Sequence, residues 1–169
     1  MLKIVNNLKP FFEDCYRRIG VREYARIMRI SPPTASKILS EYSSFGILSK
    51  STERRYKLFH ANKDSKEFID LSRIYWNHKL KGLVSFLEEK LAGPTIILFG
   101  SLSKAEVKLD SDIDLAIFSA KKSIDFNSFE KELKRNVQAF WFKSIQDTEN
   151  KELANNILNG YILCGRIGI

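Results

Sequence analysis

Apolar residues recur along the first third of the chain at the spacing of helices buried on one side. Phe11, Phe12, Cys15 and Ile19 form one stripe and predict an opening helix over residues 2–18, with Pro10 in its first turn or at a break and Gly20 at its end. Val21, Tyr24, Ala25 and Met28 then fall at offsets 0, 3, 4 and 7, and Ala35, Ile38, Leu39 and Tyr42 repeat that spacing. Each set predicts a short helix with one buried face. Ser31 precedes Pro32 and Pro33: serine is a good helix cap, and proline suits a first turn where its missing N–H has no intrahelical partner anyway. After Gly46, residues 47–50 and 55–59 predict two strands around a turn at residues 51–54. A longer helical stripe follows over residues 63–92, through Phe68, Leu71, Ile74, Tyr75, Leu80, Leu83, Val84 and Leu87. Asp64 or Ser65 opens it and Gly93-Pro94 closes it.

The pattern changes after residue 93. Residues 95–99 are an apolar, partly β-branched run ended by a glycine, and residues 113–118, 137–142 and 161–164 predict three more strands. Helices over residues 125–135 and 147–158 alternate with them, with Asp125 and Asp147 as expected caps. The fold class expected is mixed α+β: a helical and hairpin segment over residues 1–62, a linking helix over 63–92, and an α/β domain with a mixed sheet over 93–169.

Composition narrows the function classes. The apolar fraction is 44 %, ordinary for a globular chain, and no apolar run is long enough to span a bilayer. The first residues lack the apolar core of a signal peptide, so a soluble cytoplasmic protein without membrane association is expected. Cys15 and Cys164 lie far apart and read as buried free thiols, and His60 and His78 are isolated, so neither pair suggests a metal cluster. The net charge of +8 is unevenly placed: residues 1–60 hold 12 Lys or Arg against 5 Asp or Glu, leaving 16 against 15 for the rest. A positive field confined to the first third suits an anionic partner, nucleic acid foremost; a solvated basic face is the alternative.

Candidate chemistry concentrates at Gly100-Ser101 and Asp112-Ile113-Asp114. Two acids two apart in a strand leave the sheet on one side, roughly 7 Å apart at Cα, which suits a shared cation. An acid within an apolar strand is costly unless something pairs it. The alternative for the acids alone is a turn cap and a solvent-facing edge residue. Upstream, glycine lets backbone approach a phosphate closely, and the Ser101 hydroxyl and neighbouring N–H groups can hold phosphate oxygens. Two aspartates completed by phosphates and water are what Mg²⁺ prefers. Lys104, the lysine nearest Ser101, is a candidate for neutralising phosphate charge, with a merely solvated surface lysine as its alternative.

Gly100-Ser101, the intervening residues 102–111 and Ser111-Asp112-Ile113-Asp114-Leu115 resemble the active-site signature of the DNA polymerase β-like nucleotidyltransferases, particularly the minimal prokaryotic ones. Residues 159–165 are similar to the closing strand of such domains. The resemblance implies phosphate binding by Gly100 and Ser101, Mg²⁺ or Mn²⁺ held by Asp112 and Asp114, a nucleoside triphosphate substrate, and transfer of a nucleoside monophosphate to a hydroxyl. It also implies a toxin partner, which minimal nucleotidyltransferases often modify or bind. The chain departs from the pattern twice: Ala105 stands where a glycine is common, and Gln138 occupies the expected place of the third acid. An amide cannot accept a proton as a general base. A regulator whose weakened domain senses nucleotide or serves as scaffold is therefore the alternative to an active transferase.

Residues 1–62 resemble the winged helix-turn-helix of prokaryotic transcription regulators, through Ser31-Pro32 at the third helix and the basic hairpin with Arg54 and Arg55. The resemblance implies DNA binding, with Thr34, Ser36 and Lys37 towards the major groove and Lys50, Arg54 and Arg55 on phosphate or minor groove. A winged fold used only for packing or protein contact is the alternative. The long stripe of residues 63–92 reads as core or as the seam of a homodimer.

Overall fold

The computed structural model describes residues 2–148 and 150–166. The chain divides into two units, one running to Tyr75 with Ala105–Leu109 added, the other comprising Trp76–Lys104 and the chain from Asp110. In the first, α1 (Lys3–Glu13), α2 (Val21–Met28) and α3 (Pro32–Ser44) accompany an antiparallel sheet of β1 (Ile19–Gly20), β2 (Leu48–Glu53) and β3 (Tyr56–Ala61), ordered β1-β3-β2. Val5, Leu8, Phe11, Phe12, Tyr24, Leu39 and Phe59 are buried between these elements. The Phe12 ring lies 5.1 Å from Phe68 and 5.4 Å from Tyr75, so the first half of α4 (Lys66–Lys90) shares this core.

Three sequence expectations change here. The opening helix ends at Glu13 rather than 18, and Pro10 sits inside it rather than at its start. Proline removes a helical hydrogen bond, and the helix continues only three residues beyond it. Gly20 does not cap that helix; it pairs with Leu58 in the sheet and becomes the N-cap of α2. The hairpin is tighter than expected. Register runs from Leu48↔Ala61 to Glu53↔Tyr56, so the turn shrinks to Arg54-Arg55, with φ of 45° and 72°. A two-residue hairpin of this kind needs positive φ at both central positions to match strand twist, whatever residues occupy them.

The second unit is built on a mixed four-stranded sheet of β4 (Thr95–Phe99), β5 (Ile113–Phe118), β6 (Val137–Phe142) and β7 (Tyr161–Cys164), ordered β6-β5-β4-β7. Only β5 and β6 are parallel, joined through α6 (Asn127–Leu133). Period-two alternation gives the sheet two faces. Ile97, Phe99 and Ala116 form a core with Ile157 of α7 (Lys151–Leu158), supported by Phe118, Phe140, Phe142, Ile145 and Leu153. The second half of α4 supplies buried Leu80, Leu83 and Leu87, and its Phe86 ring stands 5.2 Å from Phe129 of α6. No helix among the described residues is long and apolar enough to cross a membrane.

The two expected aspartate caps are also displaced. Asp125 caps from one residue further out, accepting from the Asn127 N–H while Phe126 takes the N-cap position. Asp147 closes a 3₁₀ turn at Ile145–Asp147 by accepting from the Lys143 and Ser144 N–H groups. The helix expected from residue 147 begins at Lys151, where the Asn150 side chain accepts from the Glu152 and Leu153 N–H groups. Asn150 offers the same short acceptor geometry as an aspartate, so tertiary packing chooses between them.

Gly160 sets how closely α7 and β7 approach β4. A Cβ at this position would stand 2.7 Å from Ile97 Cγ2, 2.7 Å from the Leu98 carbonyl oxygen and 2.9 Å from that of Ile157. Two of those neighbours are backbone atoms in regular structure and cannot give way cheaply. Gly160→Ala is expected to destabilise the protein by about 2 kcal/mol through overpacking, read from the shift in a urea unfolding curve with unchanged slope.

Candidate functional site

The end of β4 and the start of β5 are neighbours because the two strands pair antiparallel, with Phe99 opposite Asp114. At Phe99 the chain leaves the sheet, and Gly100 turns it with φ of 68° into the single helical turn α5 (Gly100–Ser103). The positive φ is easy only for glycine. A second reason for glycine is spatial. A Cβ on residue 100 would lie 2.2 Å from Asp114 Oδ2 and 3.1 Å from its Cγ. The carboxylate therefore rests directly on the Gly100 backbone, with Ser101 next in the chain.

Asp112 immediately precedes β5 and is held by two amides from the parallel neighbour. Asn136 Nδ2 donates to Asp112 Oδ1 at 3.1 Å, and Gln138 Nε2 donates to Asp112 Oδ2. The Ile113 N–H donates to the Asn136 carbonyl at 2.8 Å, which fixes the start of β5 against the same segment. Arg135 is 93 % removed from solvent; its Nη1 donates to the Ser111 carbonyl at 2.6 Å, and its guanidinium stacks 5.2 Å from the Trp76 ring centroid. The residue before Asp112 is thereby anchored.

Asp114 is half-buried, and its carboxyl is pushed up from the ordinary carboxylate range, first by burial and then by the charge of Asp112. Both causes disfavour the ionised form, and both would be relieved by a cation shared between the two acids. The donor set is hard oxygen, which suits Mg²⁺ or Mn²⁺. It stops at two carboxylates: among the described residues no group of three or more His, Cys, Asp or Glu converges as a metal site. Gln138 stands opposite Asp114 in the parallel register, where a third acid would project from β6. Lys104 is engaged elsewhere, its Nζ donating to Asn156 Oδ1 of α7 at 2.7 Å.

The remaining sequence candidates lie in the first unit. Thr34, Ser36 and Lys37 are exposed near the start of α3, which Ser31 caps by accepting from the Thr34 N–H at 3.3 Å. The Thr34 and Ser31 hydroxyls also share a hydrogen bond of 2.8 Å. Lys50 is exposed on β2 opposite Phe59, and Arg54 and Arg55 are exposed at the hairpin tip. Asn136 and Arg135, which orient the acid pair, are the residues that sequence reasoning missed. No local pattern announces them, because their partners are more than twenty positions upstream.

The close fit of Gly100 and Asp114 makes a coupling measurable. Gly100→Ala is expected to cost more than the roughly 1–2 kcal/mol of left-handed strain, because the Asp114 carboxylate must also move. In an Asp114→Ala background the cost should fall towards the strain alone. A double-mutant cycle by denaturant titration reads the difference as a coupling energy, and an additive result would contradict the contact.

No curated protein matches this chain. A family model described as Polymerase beta, Nucleotidyltransferase matches residues 81–166, which take in the end of α4 from residue 81, the whole four-stranded sheet, the Gly100 turn and both acids. The match covers half of the chain, and on it the protein belongs to the polymerase beta nucleotidyltransferase family.

Proposed function

We propose that the second unit binds a nucleoside triphosphate with a divalent cation and transfers a nucleoside monophosphate slowly to a hydroxyl, releasing pyrophosphate, and that the first unit is a winged helix-turn-helix that binds DNA. The observation that carries the first part is the Asp112–Asp114 pair resting on the Gly100 turn. In this reading Asp112 and Asp114 hold Mg²⁺ or Mn²⁺, Gly100 and Ser101 take the terminal phosphates, and Lys104 joins them by leaving Asn156. The cation would supply charge neutralisation at the attacking and leaving oxygens of an in-line displacement. Asn136 and Gln138 orient Asp112, and Arg135 holds the backbone beside it.

Gln138 supports a second reading, in which the domain is a nucleotide sensor or scaffold of a transcription regulator. Its side chain donates to Asp112 and cannot take a proton from an acceptor hydroxyl. The partners compatible with these readings are DNA, a second copy of the chain along α4, and a toxin protein, all within the cytoplasm.

Incubation with labelled ATP and Mg²⁺ tests the site. Asp112→Asn and Asp114→Asn should abolish metal-dependent nucleotide binding in calorimetry. Asp114→Asn should nevertheless raise the melting temperature of the free protein by about 1–3 °C, because it removes a carboxylate that burial and Asp112 both disfavour. Gln138→Glu should increase labelling by on the order of 100-fold if a missing base limits transfer. Labelling that survives loss of both acids would overturn the assignment.

The first unit supports DNA binding through its order of three helices and a basic hairpin, and through the residues that the hairpin turn keeps. Arginines at two positive-φ positions are strained where Asn-Gly would be at ease, and such strain persists chiefly at functional sites. Arg54→Asn with Arg55→Gly is expected to stabilise the protein by about 1–2 kcal/mol and to weaken DNA binding, with a shallower salt dependence in a fluorescence-anisotropy titration. A more stable variant with unchanged DNA affinity would remove the hairpin from the interface.

A further inference from the structure

The first unit carries a recess of about 670 Å³ whose lining includes Arg22, Glu23 and Arg26 of α2 and Arg55, Tyr56 and Lys57 from the turn and β3. Its size lies within the roughly 300–1,000 Å³ usual for small-molecule sites. Four of its side chains are cationic and one is anionic. The anionic one, Glu23, is already engaged, its Oε1 accepting from Arg17 Nη2 at 2.7 Å. Arg22, Arg26, Arg55 and Lys57 take part in no ion pair among the described residues. Four like charges around one concavity repel one another, and an anion of several charges can pair with them together.

Two further observations narrow the ligand. Tyr56 is 72 % exposed, a large ring left uncovered at the rim, and the same ring borders a second recess of about 680 Å³ with Glu53, Arg54 and Leu58. An exposed aromatic beside a basic concavity is a stacking surface for a flat ring attached to a phosphate. Arg55 is held in the left-handed region, and that conformation places it in the lining. The lining holds no free carboxylate to bring a divalent metal ion.

We propose that this recess binds a nucleoside phosphate without a metal ion, the phosphates on Arg22, Arg26, Arg55 and Lys57 and the base stacked on Tyr56. The ligand is either a free nucleotide or the phosphorylated end of a strand. The site is separate from the acid pair of the second unit, and it stands or falls independently of the reading given for Asp112 and Asp114. Of its cationic residues, only Arg55 belongs to the hairpin contact proposed for duplex DNA.

The test uses the full chain carrying Asp112→Ala and Asp114→Ala, in EDTA at low ionic strength, so that no metal-dependent site contributes. Calorimetric titrations with ATP and with a short 5′-phosphorylated oligonucleotide distinguish the two sources. Arg22→Gln with Arg26→Gln should weaken the binding by about tenfold or more. Tyr56→Ala should also weaken it, and Tyr56→Phe should restore it. Arg22, Arg26 and Tyr56 are exposed, and circular dichroism with a thermal melt checks that each variant, the Asp112→Ala/Asp114→Ala background included, is folded. Binding of ATP assigns the recess to a free nucleotide; binding of the oligonucleotide alone, lost when its 5′-phosphate is removed, assigns it to a strand end. No binding of either, affinities unmoved by the arginine pair, or competition by inorganic triphosphate that equals ATP with no effect of Tyr56→Ala would overturn the proposal.

Discussion

A half-buried carboxylate beside a second one is the constraint around which the site of the second unit is built. Asp112 and Asp114 leave the same end of the sheet, and the half-buried Asp114 feels both the loss of water and its neighbour's charge. The surroundings accommodate both acids. Gly100 leaves no Cβ in the way of Asp114, and the amides of Asn136 and Gln138 occupy both oxygens of Asp112. The apolar core below, from Ile97 and Phe99 through Ala116 to Ile157, supplies the stability against which this local cost is set.

The same balance appears at the backbone. Besides glycines, the chain uses positive φ at Arg29, Arg54, Arg55, Ala105 and Lys134. Arg29 and Lys134 follow helix ends, where one left-handed residue is a common way to stop. Ala105 follows α5 and is buried, so its methyl group recovers by packing part of what its backbone loses. The arginine pair of the hairpin is exposed and has no comparable compensation from burial.

Much of this architecture could be read from the sequence because it rests on short-range patterns. The strand of residues 95–99 and the acid-bearing strand at 113–118 are short apolar runs, the stripe of α4 recurs at helical spacing, and Ser31 before two prolines marks the start of α3 without ambiguity. The expectations failed where a local signal met a longer-range competitor. Gly20 looks like a helix terminator, yet pairing with Leu58 claims it for the sheet. Asp147 looks like a helix cap, but it closes a turn, and Asn150 three residues later takes the cap. Within the site, the glycine and the acids carried their own signature, whereas Asn136 and Arg135 act only because the parallel β5–β6 register brings them to Asp112 and Ser111. No window of the sequence contains both partners.

That register also sets the lengths of chain that must be closed to build the site. The β4–β5 hairpin needs only the link of residues 100–112, so Gly100 and Asp114 meet through the shortest loop in the sheet. The β5–β6 crossover closes a longer loop through α6, and β7 returns to β4 across most of the unit. The entropy lost in ring formation grows only slowly with the length of the intervening segment, so closing the link of residues 100–112 costs only about 0.3 kcal/mol less than closing the crossover of residues 119–136. Loop entropy therefore sets nearly equal closing costs for the acid pair and for its amide tethers, and the complete site requires three neighbouring strands to be in register.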